Sequence, residues 1–262
     1  MIVLQAMETR VGLVVVGARS SDVVGIIEEA WRWCLVDAVG EAPDVVLTVG
    51  IGVESDFPDE PGVVVRQTVP DLMAALTPRV TIEAINAQAG HLLMLHACGL
   101  AHPETGAVVA LVGRSGMGKT TLAGVLGKTM AYVSDETVGI RSDFTVAPFP
   151  KPLSLKRPAP DMTKDQKSPL SLKLQAAAVP LWLGSVVLLR RDSSLSTPPR
   201  IDTVPLLQGV MELTPEISHL PQFDLPLQIL NALASRVDGI KQLSYREASS
   251  AAPLVRELVG FS

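Results

Sequence analysis

The 262-residue sequence predicts an α/β protein: a mixed β-sheet with flanking helices at residues 91–262, preceded by a small α/β domain at 1–90. Three observations predict it. β-branched runs alternate with segments of helical periodicity along the first third of the chain. Further on, the apolar run "GAVVALVG" (106–113) breaks into the glycine-rich "RSGMGK" and restarts as the helix-forming "TTLAGVL". Finally, 47% of the residues are apolar and mean hydropathy is +0.33, enough for a sizeable core.

Taken in order, "VGLVVVGA" (11–18), "PDVVLTVGI" (43–51) and "GVVVRQTV" (62–69) are bounded by Gly and Pro and read as strands. Between the first two, "SSDVVGIIEEAWRWCLVDA" opens on capping residues. Its apolar positions Val23, Val24, Ile27, Trp31, Cys34 and Leu35 recur at helical spacing. "TIEAINAQAG" reads as a short helix stopping at Gly90. "HLLMLHACGLA" (91–101) and "GAVVALVG" flank "HPETG" and predict a β-hairpin. "TTLAGVLGKTM" is then a helix, "AYVSDETVGI" a strand, and "TVGIRSDFTVAPF" a second hairpin turning at Ser142–Asp143. The polar stretch 156–173 reads as a long mobile loop. A strand at "GSVVLLRR", helices near 206–236, a strand at "GIKQLSYR" and a last helix at "SAAPLVREL" complete the chain.

Composition excludes several classes. A net charge of −5 and a pI near 5.4 leave no basic footprint, so nucleic-acid binding is not expected. Two cysteines, Cys34 and Cys98, suit a reducing compartment and read as small buried hydrophobes. The start "MIVLQAMETR" lacks the pattern of a signal peptide, and the apolar stretch 176–189 is too short to span a bilayer. The expectation is a soluble cytoplasmic protein with no membrane partner.

Gly113, Gly118, Lys119 and Thr120 fit G-x-x-x-x-G-K-[ST], the Walker A pattern of a P-loop, between a strand and a helix as that pattern requires. Each residue type has a reason. The glycines let the backbone of Gly113, Ser115, Gly116, Met117 and Gly118 wrap so that amide N–H groups point at phosphate oxygens. The helix that follows, through Lys119, Thr120 and Thr121, adds unpaired N–H groups and the positive end of its dipole. Lys119 supplies an ammonium for the β- and γ-phosphates, and Thr120 a hydroxyl ligand for Mg²⁺. The expected ligands are a nucleoside triphosphate and Mg²⁺. Asp135 and Glu136 follow at the end of a strand, where one carboxylate can hold the metal while the other polarises a nucleophile. His96 lies on the apolar strand predicted to pair beside the loop. His91 and His102 read as strand-end and turn residues, and no His/Cys spacing supports a zinc site.

In combination, "LHACGLA", "GRSGMGKTTL", "YVSDE" and "PFPKPLSLK" resemble the kinase domain of the HPr kinase/phosphorylase family, and its shorter relatives in particular. The loop is also similar to that of ATP-dependent phosphoenolpyruvate carboxykinase. The resemblance covers roughly residues 90 to 258. It implies that Lys119 and Thr120 bind phosphate and Mg²⁺, that Asp135 binds the metal, and that His96 lies close to the transferred phosphate. Where the family commonly has a second Asp as catalytic base this chain has Glu136, which leaves the base open between Asp135 and Glu136. The glycine- and arginine-rich signature of the bifunctional enzymes is missing, so neither phosphorylase activity nor an HPr substrate is implied. Lys151 and Lys156 match a segment of the relatives that runs near the site. The resemblance also implies assembly into homo-oligomers. The resulting expectation is an ATP-dependent P-loop kinase, with ATP and Mg²⁺ as its ligands, that transfers the γ-phosphoryl group to a hydroxyl acceptor such as a serine of a protein or peptide. The alternative is a nucleotide-binding sensor module. No "LSGGQ"-like transporter signature follows the loop.

Overall fold

The computed structural model describes residues 1–17, 19–38, 40–52, 61–156 and 164–261. It is a mixed α/β structure with several sheets, divided into two compact units. The first comprises Met1–Gln88 with Phe149–Leu172, the second Ala89–Pro148 with Lys173–Ser262. The change of unit at Gln88 adjoins the expected boundary at 90. The segment 149–172, assigned from sequence to the second domain, packs instead with the first.

In the first unit, β1 (Ile2–Ala6) and β2 (Thr9–Val16) form an antiparallel hairpin. The sequence reading placed no strand at β1. Helix α1 (Ser20–Ala30) is shorter than the helical pattern suggested and gives way to a 3₁₀ turn at Arg32–Cys34. β3 (Val45–Ile51) and β4 (Val63–Arg66) add in parallel, completing a sheet in the order β1-β2-β3-β4. Helix α2 (Val69–Ala87) is far longer than the short helix expected near 81–90. Pro70 and Pro78 hid it: one occupies the first turn, where a missing N–H costs nothing, and the other lies inside the helix. Thr68 caps it by accepting from the Asp71 amide at 3.3 Å.

The second unit opens with β5 (Leu93–Leu95) and β6 (Ala97–Ala101), then β7 (Ala107–Val112), every residue of which is buried. Helix α3 (Lys119–Leu126), β8 (Ala131–Ser134), β9 (Val138–Ile140) and β10 (Val146–Ala147) follow. The expected second hairpin is β9–β10; at its turn the Asp143 carboxylate accepts from the Thr145 amide at 2.9 Å and its hydroxyl at 2.6 Å. The hairpin of β11 (Leu153–Lys156) and β12 (Lys164–Lys167) belongs to the first unit, where β12 lies against α2. Of the long loop expected at 156–173, Lys156 ends β11 and Lys164–Lys167 form β12, while 157–163 lie outside the described residues. The chain returns to the second unit through β13 (Gln175–Ala176), β14 (Trp182–Arg191) and β15 (Arg200–Thr203). It finishes with α4 (Leu206–Leu213), β16 (Ile217–Ser218), α5 (Pro226–Arg236), β17 (Lys241–Tyr245) and α6 (Ala248–Glu257).

Two sheets organise this unit. Seven strands run in the order β13-β8-β6-β7-β14-β17-β15, with β7, β14 and β17 parallel at its centre. Four short strands run in the order β10-β9-β5-β16. Side chains from both sheets and from α4 and α5, among them Leu95, Val112, Val133, Leu183, Leu213 and Leu230, form one apolar core. Strands buried on both faces read as continuous apolar runs, which is why β7 and β14 were visible in the sequence. Cys34 and Cys98 are both free and buried. Burial pushes both thiols well up, an effect the Lys151 charge partly offsets at Cys34. Among the described residues no helix is long and apolar enough to cross a membrane.

Candidate functional site

The stretch read as one strand at 91–101 is two. His96 separates β5, in the small sheet, from β6, in the large one. The stretch read as one strand at 131–140 divides in the same way, with Asp135–Thr137 between β8 and β9. The two chains cross from sheet to sheet side by side: Leu95 pairs with Val138 and Gly99 with Ser134. At the crossing the Ala97 amide donates to the Glu136 carbonyl at 3.0 Å, and the buried Ser134 hydroxyl accepts from the amides of Glu136 and Thr137 at 3.3 and 3.2 Å. A polar seam inside an apolar core is stable only with its backbone groups paired, and these bonds pair them.

The glycine loop enters the same region from β7. Residues 113–118 turn with the Met117 amide on the Arg114 carbonyl at 3.2 Å, and α3 starts with the Leu122 amide on the Gly118 carbonyl at 2.9 Å. Gly116 and Gly118 have φ of 92° and 90°, the left-handed region that a side chain at either position would strain. Lys119 is the first residue of α3 and is only 7% exposed; its ammonium folds back to donate to the Gly113 carbonyl. The Thr120 hydroxyl donates to Asp135 Oδ2 at 3.1 Å, and the Tyr132 hydroxyl to Asp135 Oδ1 at 3.2 Å. Asp135 is 4% exposed, whereas Glu136 and His96 are half-buried. Ser115, Gly116 and Thr121 are exposed, and Met117 is half-buried.

The electrostatics follow from burial. Burial holds the Lys119 ammonium below its ordinary pKa, and the carboxylates of Glu216, Glu136 and Asp135 partly restore it. Burial and then the Lys119 charge hold His96 below its ordinary pKa, against the opposing pull of Glu136 and Glu216. His96 is therefore neutral at neutral pH, and the sign for stability is fixed. Below about pH 6.5 an unfolded histidine takes up a proton that the folded one resists, so stability falls as the pH drops; above it nothing is gained or lost. Denaturant titrations from about pH 8 to about pH 5 are expected to show a shallower decline for His96→Gln than for wild type. Equal slopes would contradict that.

The structure thus brings together Lys119, Thr120 and Asp135, with His96 and Glu136 on the adjoining seam. Sequence reasoning missed Tyr132, Ser134, Glu216 and Tyr245. Tyr132 and Ser134 carried a local signal, the run "YVSDE". Glu216 arrives on β16's approach to β5: its carbonyl accepts from the His96 amide at 2.7 Å, and its carboxylate faces the exposed Arg114 at 3.9 Å. Tyr245 comes from the end of β17 and donates to the Met117 carbonyl. Neither has a signal near the loop in sequence. Lys151 is buried in the first unit, where its ammonium donates to the Pro152 carbonyl at 3.3 Å.

Among the described residues no group of three or more His, Cys, Asp or Glu side chains stands at metal-ligating distance. Mg²⁺ makes a smaller demand, one or two protein oxygens plus phosphate and water. A threonine hydroxyl in contact with a buried carboxylate beside the loop fits it.

No family model matches the chain. No curated protein matches it either. Among solved structures it is similar to the HPr(Ser) kinase/phosphatase from Coxiella burnetii, at 11% identity over 63% of this chain and 93% of that one, with a TM-score of 0.33. A likeness of that extent transfers no chemistry.

Proposed function

We propose that this protein is an ATP-dependent kinase that moves the γ-phosphoryl group to a hydroxyl, a serine of a protein or peptide being the expected acceptor. The observation that carries the reading is the contact between the Thr120 hydroxyl and the buried Asp135 carboxylate at the head of α3. Nothing in the packing of an apolar core calls for a buried acid and hydroxyl beside a glycine loop. A divalent ion on a triphosphate does. Thr120 and Asp135 would hold Mg²⁺, which when bound neutralises charge on the phosphate oxygens.

The chain's own groups divide the remaining work. The loop amides, the start of α3 and Lys119 bind the phosphates and take up the negative charge that spreads as the bond to phosphorus breaks. Glu136 is half-buried where Asp135 is 4% exposed, which favours Glu136 as the group that can reach the acceptor and take its proton. The acceptor oxygen then bonds to the γ-phosphorus, the bond to the β-phosphate bridging oxygen breaks, and ADP leaves. His96, kept neutral beside Lys119, can donate or accept a hydrogen bond at the transferred group.

Calorimetry with ATP tests the reading. Wild type is expected to bind ATP more tightly with Mg²⁺ than with a chelator. Asp135→Asn is expected to lose about 10- to 100-fold of Mg²⁺-ATP affinity while binding metal-free ATP as before. A wild type that ignores ATP, or an Asp135→Asn variant with unchanged Mg²⁺ dependence, would overturn it.

A further inference from the structure

A backbone cradle for an anion works only if its amides already face inward. In a trans peptide the C=O and the following N–H point to opposite sides, so whatever fixes one fixes the other. At the Met117–Gly118 peptide, between the two residues of positive φ, Gly116 and Gly118, the carbonyl is held by a residue from outside the loop: the Tyr245 hydroxyl donates to the Met117 oxygen. Tyr245 is the last residue of β17, paired in parallel with β14 opposite Arg191. In the order β7-β14-β17, the ring therefore reaches back past the end of β14 to the loop that leaves β7.

A second observation puts the phenol against the same peptide. A Cβ built on Gly118 would lie 2.9 Å from the Tyr245 hydroxyl oxygen and 3.7 Å from Arg191 Cδ. The tyrosine thus fills the space that a side chain at Gly118 would need, and φ of 90° at that residue completes the requirement for glycine. Tyr245 is 1% exposed, and burial, against the opposing Arg191 charge, pushes its pKa up to about 12. It remains a hydroxyl donor throughout the range in which the protein would bind nucleotide.

We infer that Tyr245 is a positioning residue for the phosphate cradle: by tying the Met117 carbonyl outward it turns the Gly118 N–H inward, toward the anion, before any ligand arrives. The inference rests on the nucleotide reading above and adds to it a residue 128 positions away from the bond it sets. Ligand binding then spends no free energy on turning that peptide, which is what preorganisation contributes to affinity.

The test is calorimetry of wild type and Tyr245→Phe with Mg²⁺-ATP and with inorganic triphosphate. Phenylalanine keeps the ring in place and removes only the hydroxyl. Both affinities are expected to fall about tenfold and by the same factor, the effect of one hydrogen bond felt at the phosphates rather than at the nucleoside. Replacement by 4-aminophenylalanine, which retains a donor, should restore most of the loss; a purely packing role would leave all three proteins alike. Triphosphate binding equal to wild type in Tyr245→Phe sinks the inference and leaves the nucleotide reading standing, whereas a wild type that binds neither ligand sinks both. Should Tyr245→Phe fail to fold, Gly118→Ala takes its place. Its Cβ displaces the phenol, so the same phosphate-specific loss is expected, and unchanged triphosphate affinity overturns the proposal.

Discussion

Lys119→Ala is expected to lower phosphoryl transfer by about 100- to 1,000-fold while leaving the protein folded. Lys119 is 7% exposed, and its ammonium donates to the Gly113 carbonyl of its own loop. A buried cation is costly to keep, and here the surrounding carboxylates of Glu216, Glu136 and Asp135 only partly offset its desolvation. Removing it frees the fold of that cost and forfeits one hydrogen bond, so stability should change by about 1 kcal/mol or less. At the phosphates nothing replaces the lost charge. Calorimetry with Mg²⁺-ATP and transfer of labelled phosphate to an acceptor check the two halves of this expectation, and unchanged transfer would remove the loop from the mechanism.

The largest effect on stability is expected at Gly106. This residue closes the turn between β6 and β7 with φ of 73°, its amide donating to the His102 carbonyl at 3.0 Å and its carbonyl accepting from the Trp182 amide at 3.0 Å. A Cβ there would stand 2.0 Å from the Pro180 carbonyl oxygen, a backbone atom that cannot swing aside. Gly106→Ala therefore adds left-handed strain of about 1–2 kcal/mol to an overlap relieved only by moving the start of β14, for a total of roughly 2–5 kcal/mol. Thermal unfolding should register it as a drop of several degrees or more. A melting temperature within about a degree of wild type would contradict the geometry.

The same two positions indicate what the sequence could disclose. The strand–loop–helix around Lys119 was legible because its physics is local: an apolar run, glycines where φ must be positive, and a helix start within one short window. The acid pair was legible for the same reason. What was not legible depended on partners far along the chain. The stretches at 91–101 and 131–140 gave little sign that each serves two sheets, since burial continues on both sides of His96 and of the acid pair and only strand pairing reveals the break. Helix α2 was masked by two prolines that the fold accommodates. The return of 149–172 to the first unit, and the arrival of Glu216 and Tyr245 beside the loop, come from tertiary packing that no local pattern encodes.

The seam on which His96 and the acid pair sit also dictates what kind of genetic change the region can absorb. Connecting segments ordinarily tolerate gained or lost residues. Here the three residues from Asp135 to Thr137 are anchored at both ends by paired strands, so a residue gained or lost must either be absorbed within the seam, displacing the acid pair, or slip β9 by one position and turn its side chains to the opposite face. Substitution can tune this stretch; a change of length disrupts it either way. An exposed turn such as that after Asp192 is under no such constraint.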